Sequence, residues 1–283
     1  PARGNLCIPS AIGGVVIDKP IDITCGFYVD ELAYQLYPLV YQCGSANYSD
    51  NTKLYKMNVH NLAQNFMKKM ENDETVRQGG MLINTPSAYE NDVDMLHYAI
   101  SEFNPDYIFV ISSERLYSDV KTKYDKNTHV TLVKLPKSGG ITPRDDKFRK
   151  QLRDQRISQY FYGRNREFAP HKITLDLINV SRLYRIGGNP NVPKSAMPIG
   201  EESKLDPTKK TLITTLTTGE LQHCIVGVCA DSDENNLLDS NVAGFLHITE
   251  IFPEQKRIQC LAPRSGGFKC KILVTSRIKW SDI

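Results

Sequence analysis

Five consecutive apolar residues, Tyr107 to Ile111, constrain this chain most. A run without polar alternation reads as a strand covered on both faces, as in the parallel sheets of α/β domains. Helical and extended patterns alternate around it. Asn58 to Glu71 carries Val59, Leu62, Phe66, Met67 and Met70 at a helical period, and Gly79-Gly80 then breaks the chain. Met81-Leu82-Ile83 reads as a short strand ending at Thr85-Pro86, and Ser87 reads as a cap for the segment that follows. Asp92 to Phe103 and Ser113 to Tyr124 read as helices, the second capped by Ser113; His129 to Leu135 reads as a strand stopped by Pro136. Asp145 to Tyr162 reads as a long polar helix. Short links between such elements predict a parallel α/β sheet with helices on both faces. Ligands of such sheets sit beyond the carboxyl ends of the strands. Those ends fall near Thr85-Pro86, Ser112-Ser113 and Pro136 to Gly140.

After Gly163 the pattern changes. Strands are predicted at Lys172 to Val180, Thr211 to Thr217, Gln222 to Ala230, Ala243 to Glu250, Arg257 to Leu261 and Lys271 to Ile278, with turn formers between them. The chain therefore divides into an α/β part, residues 1–165, and a small mostly-β part, residues 166–283. A length of 283 residues suits two domains.

The net charge of +3 hides an uneven distribution. Between Pro143 and Lys172, nine Lys and Arg oppose four acids, so that stretch is +5 and the remainder −2. A local positive patch suits a polyanion such as a nucleotide or RNA. Seven cysteines at irregular spacing, with no CxxC pair, read as reduced thiols rather than a zinc site. No apolar run is long enough to span a bilayer, so no membrane partner is expected. Pro1 to Ser10 show no secretory pattern and no initiator Met, so the chain is expected to start within a longer protein.

Three sets of residues carry candidate chemistry. Arg149, Arg153 and Arg156 stand at i, i+4 and i+7 of the predicted polar helix, within an arc of about 60°. Such a stripe faces either an anion or solvent, in the second case with Asp154 as a local partner. Lys137 lies in Leu135-Pro-Lys-Ser-Gly-Gly140, where it meets phosphate or a base edge, or simply occupies a turn. Thr85 ends the strand before it, in reach of a ligand or at a helix entry. No GxxxxGK[ST] loop is present, and the six histidines fall on structural or surface positions.

Several segments together resemble one family. They are PLVYQCGS (38–45), TKLY (52–55), ERLY (114–117), LPKSGG (135–140), FRKQLRDQRISQYFYG (148–163), SAMPIG (195–200) and VAGFLHITEI (242–251). The resemblance is to the Clp-one family, the polynucleotide 5′-hydroxyl kinase-like subunit of the pre-mRNA cleavage complex, and it runs nearly end to end. It implies the later half of a P-loop NTPase domain followed by a C-terminal β-rich domain. Pro1 to Pro9 resemble the segment just after the Walker B aspartate. Walker A and most ATP ligands are then expected upstream, with ATP and Mg²⁺ held by the longer protein and no cofactor held by this chain alone. Arg149, Arg153 and Arg156 match the lid arginines that face the phosphates, with a catalytic role at the transferring phosphoryl. Thr85, Lys137 and Tyr89 are the expected substrate- or nucleotide-adjacent residues.

Two departures bear on activity. Arg3 stands where the family has Gln, and Ser87-Ala88-Tyr89 follow the Thr-Pro turn where active members carry Gly-Trp for stacking on RNA. The only tryptophan is Trp280, which leaves Tyr89 as the nearby ring. The resemblance thus implies either phosphoryl transfer from ATP to an RNA 5′-hydroxyl or an ATP-binding scaffold without catalysis. The basic patch alone also fits an RNA-binding module. The implied partners are RNA, a cleavage-factor subunit that binds the RNA polymerase II tail, and the tRNA-splicing endonuclease; the implied location is the nucleus. The 283 residues by themselves are expected to turn over no ATP and to expose unpaired strand edges.

Overall fold

The computed structural model describes residues 6–18, 20, 38–124, 129–187, 206–265 and 271–281. Arg3 and the segment 195–200 lie outside them. The elements in order are β1 (Ala11–Gly14), β2 (Leu39–Gln42), α1 (Thr52–Asn72), α2 (Glu74–Gly79), α3 (Val93–Phe103), β3 (Tyr107–Ile111), α4 (Glu114–Tyr124) and β4 (Thr131–Leu135). Then come α5 (Asp146–Tyr162), β5 (His171–Asp176), β6 (Arg182–Ile186), β7 (Lys210–Leu212), α6 (Thr218–Leu221), β8 (Cys224–Cys229), β9 (Val242–Phe252), β10 (Arg257–Ala262) and β11 (Ile272–Lys279).

The chain forms two compact units, residues 59–148 and residues 1–58 with 149–283. In the first, β3 and β4 pair in parallel, Tyr107 opposite Thr131 through Ile111 opposite Leu135. Asp92 caps α3, its carboxylate accepting from Met95 N at 3.1 Å, and left-handed Asn104 closes the helix. Ser113 caps α4 as the sequence suggests, accepting from Leu116 N. Three expectations fail in this unit. Residues 81–83 form no strand, and Leu82 is 95% exposed: a lone extended segment has no ladder to satisfy its backbone. Ser87 begins a 3-10 turn and caps nothing, because Asp92 stands at the true helix start. The apolar run 107–111 is not covered on both faces. Val110 is buried, but Tyr107, Phe109 and Ile111 are 61%, 56% and 60% exposed. Among the described residues β3 pairs with β4 alone.

The second unit is built on a seven-stranded mixed sheet of order β5-β10-β9-β8-β11-β6-β7, antiparallel except between β6 and β11. Central β8, Cys-Ile-Val-Gly-Val-Cys, is apolar throughout because both of its faces are covered. One face holds Leu183, Val226, Leu246, Ile248, Ile258 and Leu273. The other holds Ile225, Phe245 and Trp280 together with Ile157 and Phe161 of α5, and Ile8, Ala11 and Val40 from the start of the chain. Sequence patterning finds most of these strands within a few residues but misses β1, β2 and β6. The predicted strand 172–180 stops at Asp176, whose carboxylate accepts from Ile178 N at 2.9 Å and Asn179 N at 3.0 Å and turns the chain.

Candidate functional site

α5 is continuous from Asp146 to Tyr162, so the three arginines share one stripe as their spacing requires. The two ends of α5 have different surroundings. Ile157 and Phe161 are buried, and Phe161 stacks on Trp280 at 5.7 Å with an interplanar angle of 12°. The Tyr160 hydroxyl accepts from Phe245 N at 3.0 Å, and burial pushes its phenol pKa well above the ordinary value. The same burial pushes the neighbouring Cys7 thiol up to about 12. Gly163 ends the helix at φ 80°, its N–H donating to Gln159 O at 2.9 Å. Only glycine enters that region without strain, which accounts for the last residue of Tyr-Phe-Tyr-Gly163.

Toward its amino end α5 is open. Residues 141–151 are exposed throughout, Arg149 included, while Arg153 and Arg156 are half-buried. Arg156 donates to Gln159 Oε1 at 3.2 Å. Among the described residues neither Arg153 nor Arg156 pairs with a carboxylate. The helix is anchored at one end and presents cations from the other.

The remaining candidates belong to the unit of residues 59–148. The carboxyl ends of β3 and β4 are level, and Ser112 N donates to Leu135 O at 3.0 Å. This register brings Ser112, Ser113 and Lys137 to one edge of the parallel pair. Lys137 and the following Ser138, Gly139 and Gly140 are exposed there. Ser112 adopts φ 68°, a left-handed conformation rare for a serine, and such strain concentrates at ligand sites. Patterning gives no signal for it, because φ is not written in residue type. Thr85 is exposed in irregular backbone rather than on a strand. Tyr89 is 3% exposed, its ring closed off by packing. Among the described residues no cluster of His, Cys, Asp and Glu is arranged to hold a metal.

The comparisons with known proteins divide the chain near the same helix. Residues 1–163 match the family of the mRNA cleavage and polyadenylation factor CLP1 P-loop, and residues 168–282 match pre-mRNA cleavage complex II protein Clp1. The chain is 34% identical over 281 residues to the protein CLP1 homolog of Arabidopsis thaliana, covering 99% of this chain and 62% of that protein. It is 32% identical to the polyribonucleotide 5′-hydroxyl-kinase Clp1 of Bos taurus, covering 99% of this chain and 64% of that one. The chain thus spans about three fifths of the length of these relatives. Its fold matches that of Clp1p in two solved structures with Pcf11p. One comes from work on their extended interface and on ATP loss in a point mutant, with TM-score 0.80 and 22% identity over 99% of this chain and 66% of that one. The other is the wild-type complex, with TM-score 0.79 and 20% identity over 99% and 65%. Together the two family matches span nearly the whole chain, and the chain belongs to the Clp1 family of pre-mRNA cleavage complex II proteins.

Proposed function

We propose that this chain serves as the later part of a nuclear, ATP-dependent polynucleotide 5′-hydroxyl kinase of the mRNA 3′-end cleavage machinery. Residues 1–165 complete its P-loop domain and residues 166–283 form its C-terminal domain. The observation that carries the reading is α5, clamped by Phe161 and Tyr160 at one end and carrying Arg149, Arg153 and Arg156 on one stripe before it. Charge in phosphoryl transfer spreads over the equatorial oxygens of the moving group, and catalysis is mainly positioning and electrostatic stabilisation. Arg149, Arg153 and Arg156 supply planar forks for those oxygens. Lys137 and Thr85, both exposed, meet nucleotide or RNA end.

The test is transfer of labelled γ-phosphate from ATP to 5′-hydroxyl RNA by the full-length gene product. Replacing Arg153 and Arg156 with Ala should lower transfer by at least ~100-fold, since a transition-state arginine is worth about 10³–10⁵. No transfer by the unaltered protein, or transfer insensitive to these changes, refutes the kinase reading.

Burial of Tyr89 favours a second reading, a nucleotide-binding scaffold that joins cleavage-factor subunits. On that reading the unaltered protein transfers no phosphate, while Lys137→Ala or Arg153→Ala releases a cleavage-factor subunit from the purified complex. Retention of the subunit by both variants sinks it.

A further inference from the structure

A cavity of about 350 Å³ opens within the unit formed by residues 1–58 and 149–283, independent of the arginine stripe. Its walls come from the end of β2 and the turn after it, from β6, from α6, and from β11. The topology explains why charges gather there. β6 and β11 are parallel neighbours with Tyr184 opposite Val274, so Arg185 lies beside Thr275. Arg277 and Lys279 follow two and four residues further along β11, where its register against β8 shifts, and both line the cavity.

The three cations are incompletely answered. Arg185 Nη2 donates to Glu220 Oε2 at 2.9 Å through one arm of its fork. Arg277 Nη1 stands 3.7 Å from Asp50 Oδ2, beyond hydrogen-bonding distance, and that oxygen already accepts from the Ser45 hydroxyl. The Arg277 side chain is 45% exposed and makes no hydrogen bond among the described residues. Lys279 Nζ donates to the carbonyl of Gly219 at 2.7 Å, a neutral acceptor that leaves its charge unmatched. The floor between them is apolar, formed by Ile186, Leu221, Cys43 and Cys224.

Charge bookkeeping selects the occupant. Among the described residues that line it, three cations against Asp50 and Glu220 leave a single net positive charge. One carboxylate matches that balance. A polynucleotide backbone does not, because it needs a track of cations without interspersed acids, and a phosphate dianion overcharges the site. The apolar floor next to the cations suits an aliphatic side chain adjacent to the acid. We propose that this cavity receives an acidic side chain of an extended partner peptide, held by Arg277 and Lys279, with the neighbouring aliphatic residue on the floor of Ile186 and Leu221.

The probe is a fluorescein-labelled peptide alternating Leu with Glu and Asp, compared with Gln/Asn and Lys counterparts, titrated by anisotropy against the full-length gene product. Saturable binding of the acidic peptide is expected, and about tenfold weaker binding to the Arg277→Glu, Lys279→Glu double variant. Arg277→Lys with Lys279→Arg should keep most of the affinity, so loss through misfolding is separable from loss of charge. Glu220→Gln should tighten binding by removing an opposing carboxylate. The proposal is overturned by any of four results: no binding of the acidic peptide, equal binding of the neutral peptide, indifference to the charge reversals, or displacement by inorganic phosphate or oligouridine at concentrations equal to the peptide.

Discussion

Gly163→Ala should loosen the anchored end of α5, and its cost follows from the geometry. An alanine held at φ 80° pays roughly 1–2 kcal/mol for the left-handed conformation. Its Cβ would also lie 2.8 Å from Glu167 Oε1 and closer still to the rest of that carboxyl, so the side chain must move. Moving it disturbs the bond in which Glu167 Oε2 accepts from Asn165 N at 2.7 Å, an exposed interaction worth about 1 kcal/mol. The sum is about 2–3 kcal/mol. Urea denaturation of the chain at submicromolar concentration measures it, followed by fluorescence of Trp280. That residue is the only tryptophan, is buried, and is stacked on Phe161 two residues before the substitution. In a Glu167→Ala background, where the clash and the bond are both already gone, Gly163→Ala should cost only the backbone part, roughly 1–2 kcal/mol. Gly163→Asn should cost less than Gly163→Ala, because asparagine tolerates the left-handed region. A change in stability below about 0.5 kcal/mol for Gly163→Ala, or the same cost with and without Glu167, would refute this account of the motif.

Gly227→Ala puts a Cβ 3.0 Å from Gln42 Cδ on the central strand, and should cost about 1–3 kcal/mol by overpacking; pairing it with Gln42→Ala should return much of that in a double-mutant cycle of urea midpoints. The exposed apolar face of β3 should drive self-association of the isolated chain, so Phe109→Lys should lower its light scattering at equal concentration without lowering its helix content by circular dichroism. Burial first, and Lys123 second, hold the His97 pKa below 6.5. The unfolded chain therefore binds a proton that the fold resists, and stability falls as pH drops from about 6.5 through the folded value. His97→Gln should flatten that acid-side decline in melting temperature, and an unchanged decline would show that His97 is not responsible.

Much of the architecture is local and therefore readable from residue order. The helical period across residues 93–103, the capping serine before α4, the apolar β8 and the polar helix 146–162 each state their own burial pattern. The arginine stripe is equally local, since helix geometry alone aligns residues 149, 153 and 156. Family membership rests on such short segments as well. What residue order leaves open is which distant segment supplies a partner. Whether 81–83 becomes a strand depends on a neighbouring ladder, and none of the described residues provides one. Tyr89 looks available in sequence and is closed off only by packing. The opening residues join the C-terminal sheet through contacts such as Gln42 Nε2 to Val274 O at 3.3 Å, 232 positions apart. The charged cavity beside that junction likewise draws on β2, β6, α6 and β11 at once. Periodicity determines which face of an element avoids water; the three-dimensional fold alone decides what covers that face, because the covering surface comes from elements whose order along the chain carries no record of their adjacency.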